Sequence, residues 1–354
     1  MNDASDIRAM LVESATRLLN DHVDQKMLDA AKRDGWSPAL WRTVEEAQLP
    51  LVSVPEEAGG AGGTLSDLAA VLRVAGRYAA PIPLAETAIA GWMLAQSGLK
   101  VPAGPLAFGP AHGEKIAARR KGKQWLLSGS MKRVPWARVA GRLVVLASAS
   151  SGGIVACVDP KDCKITAGGN LAHEPRDDVV LKNVAAIEAA PARGTTHAAL
   201  RLRGALARAL MMAGALERAL ELAVRYATER SQFGRKIGQF QAIQQELARF
   251  AGEVAAAVAA ALSAAGALER GKDAMLAVAC AKIRSAQAAQ EGALIAHQVH
   301  GAIGVTDEYA LHHSTLRLWA WRDEFGSETA WAAELGRALA AAGPKALWPA
   351  LTRD

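Results

Sequence analysis

The hydrophobic pattern along this chain changes character twice, and this change limits the folds that the chain can adopt. Up to about residue 104, apolar residues recur with the period of an α-helix; Leu11, Ala15, Leu18 and Leu19, for example, share one helical face. Residues 106–187 contain instead short β-like runs separated by glycine, proline and aspartate, and from about residue 195 the helical period returns. The sequence therefore predicts a mainly α-helical protein with a central β domain.

The same division predicts three domains, which a chain of 354 residues is long enough to form. We expect an N-terminal helical domain at residues 1–104, a central β domain at residues 105–194 and a C-terminal four-helix bundle at residues 195–354. The β domain is predicted to be a small antiparallel sheet or barrel. The bundle is predicted to contain three long helices and a shorter one, at residues 200–229, 239–268, 273–300 and 332–339.

Local signals mark several boundaries. Ser37 followed by Pro38 predicts a helix start, with Ser37 as the N-cap and Pro38 at the first helical position. The basic run at residues 119–123 lies between two β-like runs and predicts a solvated hairpin tip. The glycine-rich residues 56–64 lack the lysine and the preceding strand of a phosphate-binding P-loop, so we expect a loop between helices there.

Charge and cysteine content narrow the possible function classes. The net charge of +6 suits an anionic ligand, although a mildly basic surface needs no partner, and no long basic run supports nucleic-acid binding. The three cysteines have no metal-binding spacing and fit a reducing compartment, so we predict no metal site. No signal peptide or clear membrane span is apparent, and we expect a cytoplasmic protein without membrane insertion.

Residues 225–246 form a polar corner between two predicted helices. The helical pattern breaks at residues 233–234, and Arg230, Gln232, Arg235, Lys236 and Gln241 gather at the break. Arginine binds phosphate oxygens with two parallel hydrogen bonds, and the free N–H groups of a new helix add positive potential. A phosphate-bearing ligand fits this corner, and so does an ordinary polar interhelical turn.

Two sequence motifs connect this corner to a known family. The segment RSQFGRKIGQFQAIQ at residues 230–244 closely resembles the flavin-binding signature of acyl-CoA dehydrogenases. The segment QVHGAIGVTDEY at residues 298–309 is similar to the second motif of that family, in the expected order and distance. Residues 35–64 and 80–87 also look like the family, so the resemblance covers nearly the whole chain. It implies the order helices, sheet, helices, an FAD cofactor, an acyl-CoA thioester substrate, and dehydrogenation between Cα and Cβ.

The resemblance also assigns residues to the flavin. It implies that Arg230 contacts the pyrophosphate of an FAD held mainly by the neighbouring subunit, that Phe233 packs on the adenosine half, and that Gln241 hydrogen-bonds nearby. It implies that Gln298 contacts the other side of the cofactor, where Gly301 permits close backbone approach. Trp136 is a candidate for stacking near the isoalloxazine, with a core tryptophan as the alternative. The complete set of expected cofactor-binding residues is Arg230, Gln232, Phe233, Gln241, Gln298, Gly301, Ser327 and Trp136.

The chain departs from the family pattern where catalysis takes place. Residues 108–113 lack the family's threonine–serine motif. The family's usual catalytic glutamate aligns with Phe325, and the position used by a minority of relatives aligns with Gly204. Glu324, one residue away, is the expected base, which needs a raised pKa from desolvation. Asp323 and Glu328 are weaker candidates because a charged helix end also explains them.

Three interpretations follow from these departures. The first is an FAD-dependent acyl-CoA dehydrogenase that uses Glu324 as a displaced base. The second is a catalytically degenerate partner subunit, which supports the flavin of a sister chain in a heteromeric acyl-CoA dehydrogenase, as in some relatives acting on bulky steroid side-chain thioesters. The third is a helical scaffold without flavin. The resemblance implies a homo-oligomer or an assembly with a sister subunit, because its flavin site crosses a subunit boundary.

Overall fold

The computed structural model describes residues 2–271 and 274–352 and has helices at both ends of the chain with a sheet between them. The α-helices are α1 (Asn2–His22), α2 (Gln25–Asp34), α3 (Pro38–Glu46), α4 (Leu65–Arg77), α5 (Leu84–Gln96), α6 (His197–Glu229), α7 (Gln241–Arg270), α8 (Ala274–His300), α9 (Leu311–Trp321), α10 (Glu328–Ala342) and α11 (Pro344–Thr352). The strands are β1 (Leu106–Gly109), β2 (Ala117–Lys121), β3 (Gln124–Pro135), β4 (Arg142–Ala149), β5 (Gly152–Val158), β6 (Lys164–Thr166), β7 (Arg176–Ala185), β8 (Glu188–Pro191), β9 (Ser231–Gln232) and β10 (Arg235–Lys236). The predicted fold class is confirmed.

Side-chain caps define the starts of the N-terminal helices. Ser37 caps α3 by accepting a hydrogen bond from the Leu40 N–H at 3.3 Å, with Pro38 as the first helical residue, as predicted. Thr64 and Asp67 form a reciprocal capping box at the start of α4. Residues 56–64 form a short 3₁₀ turn and a loop between these helices, as expected.

The central sheet is mixed rather than antiparallel. Its strands follow the order β6-β7-β3-β2-β4-β5-β8, and β1 pairs with β4 outside this path. Most neighbours are antiparallel, but β1 pairs with β4 in parallel from Leu106 to Gly109, and β2 meets β4 in parallel through Ala117. The antiparallel prediction is corrected here because alternation along a strand does not specify the direction of its neighbour. Of the hairpin tip predicted at residues 119–123, residues 122–123 form the turn between β2 and β3, and residues 119–121 are the paired end of β2.

The shorter C-terminal helices pack around α6, α7 and α8. The prediction of three long helices in this part of the chain is confirmed. Asp273, the expected first residue of the third helix, lies outside the described residues. The shorter helix expected at residues 332–339 lies within α10, whereas α9 and α11 were not predicted. The domain boundaries expected after residues 104 and 194 fall in loops, before β1 and before α6, and stay predictions.

Two glycines allow α4 to cross α6 at close range. A Cβ on Gly76 would overlap the backbone of Met211, and a Cβ on Gly214 would overlap the carbonyl of Arg73. Backbones approach this closely only where neither helix carries a side chain. The crossing fixes the N-terminal helices against the long helix that carries Gly204 and Arg208.

Helix α7 has unusual composition for its position. Among the described residues it is the one helix that is long and apolar enough, by length and composition alone, to cross a membrane. A core helix of a soluble protein passes the same test, and the face of α7 with Phe250, Val254 and Ala257 is buried in the main hydrophobic core. The expectations of no membrane insertion and of a cytoplasmic location stay predictions.

Candidate functional site

A cleft of about 600 Å³ lies where α6 ends, α7 begins and α8 ends. We call it the nucleotide cleft. Its lining combines polar residues with aromatic and aliphatic ones: Tyr226, Arg230, Gln232, Phe233, Ile237, Phe240, Ile243, Gln298, Val299, His300, Gly301, Ala302 and Ile303. The two sequence motifs, separated in the chain by residues 245–297, therefore meet at one surface.

Arg230 is held in place at the mouth of the nucleotide cleft. Its N–H donates to the Tyr226 carbonyl at 2.8 Å and so caps α6, and its own carbonyl accepts from the Ile237 N–H at 2.9 Å. The Gln232 amide, turned with its oxygen towards Arg230, accepts from Nη2 at 2.6 Å and from Nε at 3.3 Å. The guanidinium is exposed and oriented, an arrangement that suits a phosphate group.

Phe233 projects from the tip of the β9–β10 ribbon, where the sequence predicted a break. Its side chain is 92% exposed, and its φ of 52° is a left-handed backbone conformation that is uncommon for a bulky residue. Its ring meets Phe240 edge to face at 6.2 Å, and Arg235 lies 4.1 Å above the Phe240 ring. An aromatic ring so exposed beside a cleft is typical of a surface that a ligand or another subunit covers.

Gly301 ends α8 with a φ of 63°, and no atom lies within 4 Å of where its Cβ would be. The backbone is therefore open to close approach from the cleft. Gln298, one turn earlier, is exposed on the same side. Behind them, the buried His300 ring stacks on Tyr226 at 4.7 Å and contacts Tyr309 at 4.7 Å, which supports the floor of the cleft.

Three other predicted cofactor residues do not line the nucleotide cleft. Gln241 is exposed at the first position of α7, and Ser327 caps α10 by accepting from the Ala330 N–H at 3.3 Å. Trp136 is only 2% exposed, with a left-handed φ of 62°. The expectation that Trp136 stacks on a flavin is corrected, because its buried ring has no free face and the core alternative describes its position.

Phe325 and Gly204, the two residues at the family's base positions, are in direct contact. The Phe325 ring fills the space in which a Cβ on Gly204 would lie, and the ring stacks on Phe108 with centroids 6.0 Å apart. The φ of Phe325 is 56°, and its carbonyl accepts from the Trp331 indole N–H at 3.1 Å. An aromatic core contact therefore occupies both positions at which the family resemblance predicts a carboxylate.

Glu324 belongs to a buried ionic cluster that joins all three parts of the fold. Its carboxylate accepts from Arg176 Nε at 2.7 Å and from Arg208 Nε at 2.6 Å. Arg208 Nη2 also donates to Glu86 on α5 at 2.5 Å. The ionic cluster has three carboxylates and three guanidiniums: Glu86, Glu174, Glu324, Arg176, Arg208 and Arg317. Its formal charge is balanced, which is the condition under which buried charges are tolerated.

The surroundings of Glu324 are opposite to those that a catalytic base requires. Burial alone would raise the pKa of its carboxyl, but Arg176 and Arg208 outweigh that effect and hold the pKa well below the ordinary value of 4.5. Lys282, on α8, further fixes the loop by donating to the carbonyls of Arg322 and Gly326. The expected raised pKa at Glu324 is therefore corrected: the residue is ionised and fully engaged by its partners.

The weaker base candidates have other surroundings. Asp323 is exposed, and Glu328 accepts from the Gln287 amide at 3.1 Å. A second cavity, of about 270 Å³, is lined by Asp323, Glu324 and Phe325 together with residues of the sheet. A third cavity, which is apolar and lies between α4, α5 and α6, measures only about 20 Å³. That volume holds about one water molecule and leaves no space for an acyl chain.

The sequence contains a signal for the ionic cluster, which is a single charged residue within an apolar run. Hydrophobic periodicity alone does not identify such a residue. Arg208 is the one charged residue in the apolar run GALARALMMAG of α6, and Glu86 is the one charged residue in LAETAIAG of α5. A single charge in such a run predicts a buried ion pair. The partners come from distant segments, so only the folded chain identifies them.

Known proteins share both the sequence and the fold. Residues 5–100 match the N-terminal domain of acyl-CoA dehydrogenases, and residues 195–323 match the C-terminal domain. The acyl-CoA dehydrogenase IpdE2 of Mycobacterium tuberculosis is 30% identical over 86% of this chain and 88% of its own length. A solved Tcur3481-Tcur3483 steroid ACAD variant superposes with a TM-score of 0.85 at 26% identity, over 96% of this chain and 100% of that one. The ChsE4-ChsE5 complex from M. tuberculosis gives 0.85 at 25% identity, over 96% and 98%.

These similarities establish the class of the protein. The chain belongs to the acyl-CoA dehydrogenase family, whose members are FAD-dependent oxidoreductases. The recognition of this family from the two motifs is confirmed. Of the two solved structures named above, one is a steroid ACAD and the other is a ChsE4-ChsE5 complex.

Proposed function

We propose that this chain is the flavin-supporting subunit of a heteromeric, FAD-dependent acyl-CoA dehydrogenase, and that a sister chain supplies the catalytic base. The observation that carries the proposal is the contact between Phe325 and Gly204. Both positions that could carry the base are occupied by residues without an ionisable group. The contact also fills the space between them.

The dehydrogenation reaction requires a carboxylate base that is free to accept a proton. Dehydrogenation of a CoA thioester transfers the Cα proton to a carboxylate and the Cβ hydride to the flavin, leaving a Cα–Cβ double bond. The carboxylate must be free to accept a proton at neutral pH. Glu324 is ionised, but its oxygens already accept hydrogen bonds from Arg176 and Arg208, and protonation would remove the carboxylate that these two guanidiniums share. We therefore assign Glu324 a structural role.

The nucleotide cleft fits FAD, which supplies the hydride acceptor when bound. Arg230, oriented by Gln232, would bind the pyrophosphate, and the exposed Phe233 ring would pack against the adenosine half. Gln298 and the open backbone at Gly301 would contact the cofactor from the other side. We assign these residues the binding and orientation of the cofactor, and we assign none of them a proton exchange with the substrate.

The substrate class follows from the relatives and from the cavities of this chain. A relative of 26% identity is a steroid ACAD, which supports a bulky CoA thioester as the substrate of the assembly. The cavity of about 20 Å³ between α4, α5 and α6 supports an acyl pocket provided by the sister chain.

Flavin content and flavin reduction test this proposal. The chain should be purified alone and together with a sister chain that carries glutamate at the position of Phe325. We expect stoichiometric FAD and bleaching by a bulky acyl-CoA only in the assembly, with normal bleaching when this chain carries Glu324→Gln. The proposal fails if the chain alone holds one FAD per chain, bleaches with an acyl-CoA, and loses that bleaching in Glu324→Gln. A colourless assembly would favour the scaffold interpretation.

A further inference from the structure

A second polar cluster lies where α2 meets the start of α9, and none of its residues lines the nucleotide cleft. It contains Asp29, His312 and His313, and one ligand atom from each lies within 4.8 Å of the other two. His313 Nε2 is 3.5 Å from Asp29 Oδ1. The two imidazole rings lie 3.9 Å apart, centroid to centroid.

Both imidazoles are buried and have an unused nitrogen. His312 is 7% exposed and His313 is 5% exposed, and within residues 2–271 and 274–352 no group forms a hydrogen bond to Nε2 of either ring. A buried polar atom without a partner costs free energy, so two such atoms side by side need an explanation.

The tautomer of His312 is fixed by its surroundings. Its Nδ1 lies 2.9 Å from the Tyr309 carbonyl oxygen, which can only accept a hydrogen bond, so Nδ1 carries the proton. Nε2 therefore presents a lone pair towards the cluster. Metal-binding histidines are held in the same way, with the second nitrogen donating to a carbonyl or carboxylate.

We propose that Asp29, His312 and His313 bind a divalent metal ion of the zinc type, with a water molecule as the fourth ligand. Imidazole nitrogen and carboxylate oxygen are ordinary zinc ligands, and tetrahedral bonds of about 2.0–2.1 Å place ligand atoms about 3.4 Å apart. The distance of 3.5 Å between His313 Nε2 and Asp29 Oδ1 matches that spacing. Side-chain rotation closes the remaining gap of at most about 1.5 Å.

The surroundings define access to the site and its fourth ligand. A cavity of about 600 Å³, lined in part by Asp24, Gln25 and His313, opens a path from solvent. Asp307 lies 3.6 Å from His312 Nε2 but is paired with Lys32 at 2.9 Å, which leaves the fourth position to water. The ion would tie α2 of the N-terminal helices to α9 of the C-terminal helices.

Zinc titration of the full-length chain tests the site. After dialysis against EDTA, we expect calorimetry with ZnCl₂ alone to show one tight site per chain, and the unfolding temperature to rise with zinc concentration. Co²⁺ in its place should give the visible absorption of a four-coordinate complex. Asp29→Asn keeps the shape of a half-exposed residue, and we expect it to weaken zinc binding by about tenfold or more, as for other lost metal contacts.

His313→Gln should weaken zinc binding at least as much, and the exposed His197→Gln serves as the matched control that leaves it unchanged. Because Asp29→Asn alters a surface carboxylate, it is the decisive variant if His313→Gln does not fold. The proposal is overturned if the wild-type chain takes up no zinc, or if Asp29→Asn binds zinc as tightly as the wild type. Several weak sites that are insensitive to both changes would also overturn it.

Discussion

The ring of Phe325 lies against the Cα of Gly204, in the space that a side chain at residue 204 would otherwise occupy. Phe108 stacks on the same ring, and the Arg208 guanidinium lies 5.5 Å from its centroid. Gly204 is on α6, whereas Phe325 is on the loop after α9, so the contact joins that loop to α6. Aromatic packing occupies the two positions at which the family resemblance predicts an ionisable group, and the packing of each residue depends on the other.

Gly204→Ala should therefore destabilise the protein even though alanine favours helix. The added methyl group must displace the Phe325 ring, and overpacking of this kind costs about 1–3 kcal/mol. Gly252→Ala is the matched control, because Gly252 is on α7 with no atom within 4 Å of its Cβ position. That change should stabilise by about 0.5–1 kcal/mol. Urea unfolding measures both, and equal stabilisation by the two variants would contradict the contact.

Glu324→Gln should destabilise the fold rather than remove a catalytic base. The amide retains the shape but leaves Arg176 and Arg208 without their shared counter-charge, and breaking a buried pair from one side costs about 3–5 kcal/mol. Glu334→Gln, which removes a partly exposed pair with Arg201, should cost at most about 1 kcal/mol. Chemical unfolding of both variants checks the difference, and equal costs would argue against a structural role for Glu324.

Stability should fall in acid, in a range set by the carboxylates of the ionic cluster. Burial opposes their ionisation, but the neighbouring arginines lower the pKa values of Glu174 and Glu324 below the ordinary 4.5. The unfolded chain therefore binds more protons than the folded chain below that value. The stabilisation is present above about pH 5 and is lost progressively as the pH falls.

Urea midpoints at a series of acidic pH values measure this loss. In Glu324→Gln, one carboxyl of the ionic cluster with a lowered pKa is absent, so the midpoint should depend less steeply on pH than in the wild type. An unchanged pH dependence would show that Glu324 titrates normally in the folded protein.

Arg230→Ala should weaken FAD retention without unfolding the chain, because the guanidinium is exposed and its tertiary contacts are local. A charge-assisted hydrogen bond to phosphate contributes about 1.5–3 kcal/mol, or roughly ten- to a hundredfold in affinity. Arg230→Lys should restore only part of it, since lysine lacks the planar fork. The exposed Arg337→Ala is the control. Flavin absorbance after gel filtration of the assembly gives the readout, and full retention in Arg230→Ala would leave Arg230 a helix-capping role only.

The sequence by itself determined the family, the order of helices and sheet, and five residues of the nucleotide cleft. These features depend on local periodicity and on two contiguous motifs, in which neighbours in sequence are neighbours in space. The same motifs identified Gly204 and Phe325 as the positions without a base. Periodicity did not identify the parallel pairing of β1 with β4, because the alternation of residues along one strand does not indicate the direction of the neighbouring strand.

Only the tertiary structure decided the surroundings of Glu324. In the sequence it is the acidic residue nearest to the expected base, and desolvation alone would raise its pKa. Its partners Arg176 and Arg208 come from the sheet and from α6, 148 and 116 residues away. Folding brings them within 3 Å and reverses the sign of the pKa shift, because two close opposite charges outweigh burial. The contact between Phe325 and Gly204 likewise exists only where two distant segments meet.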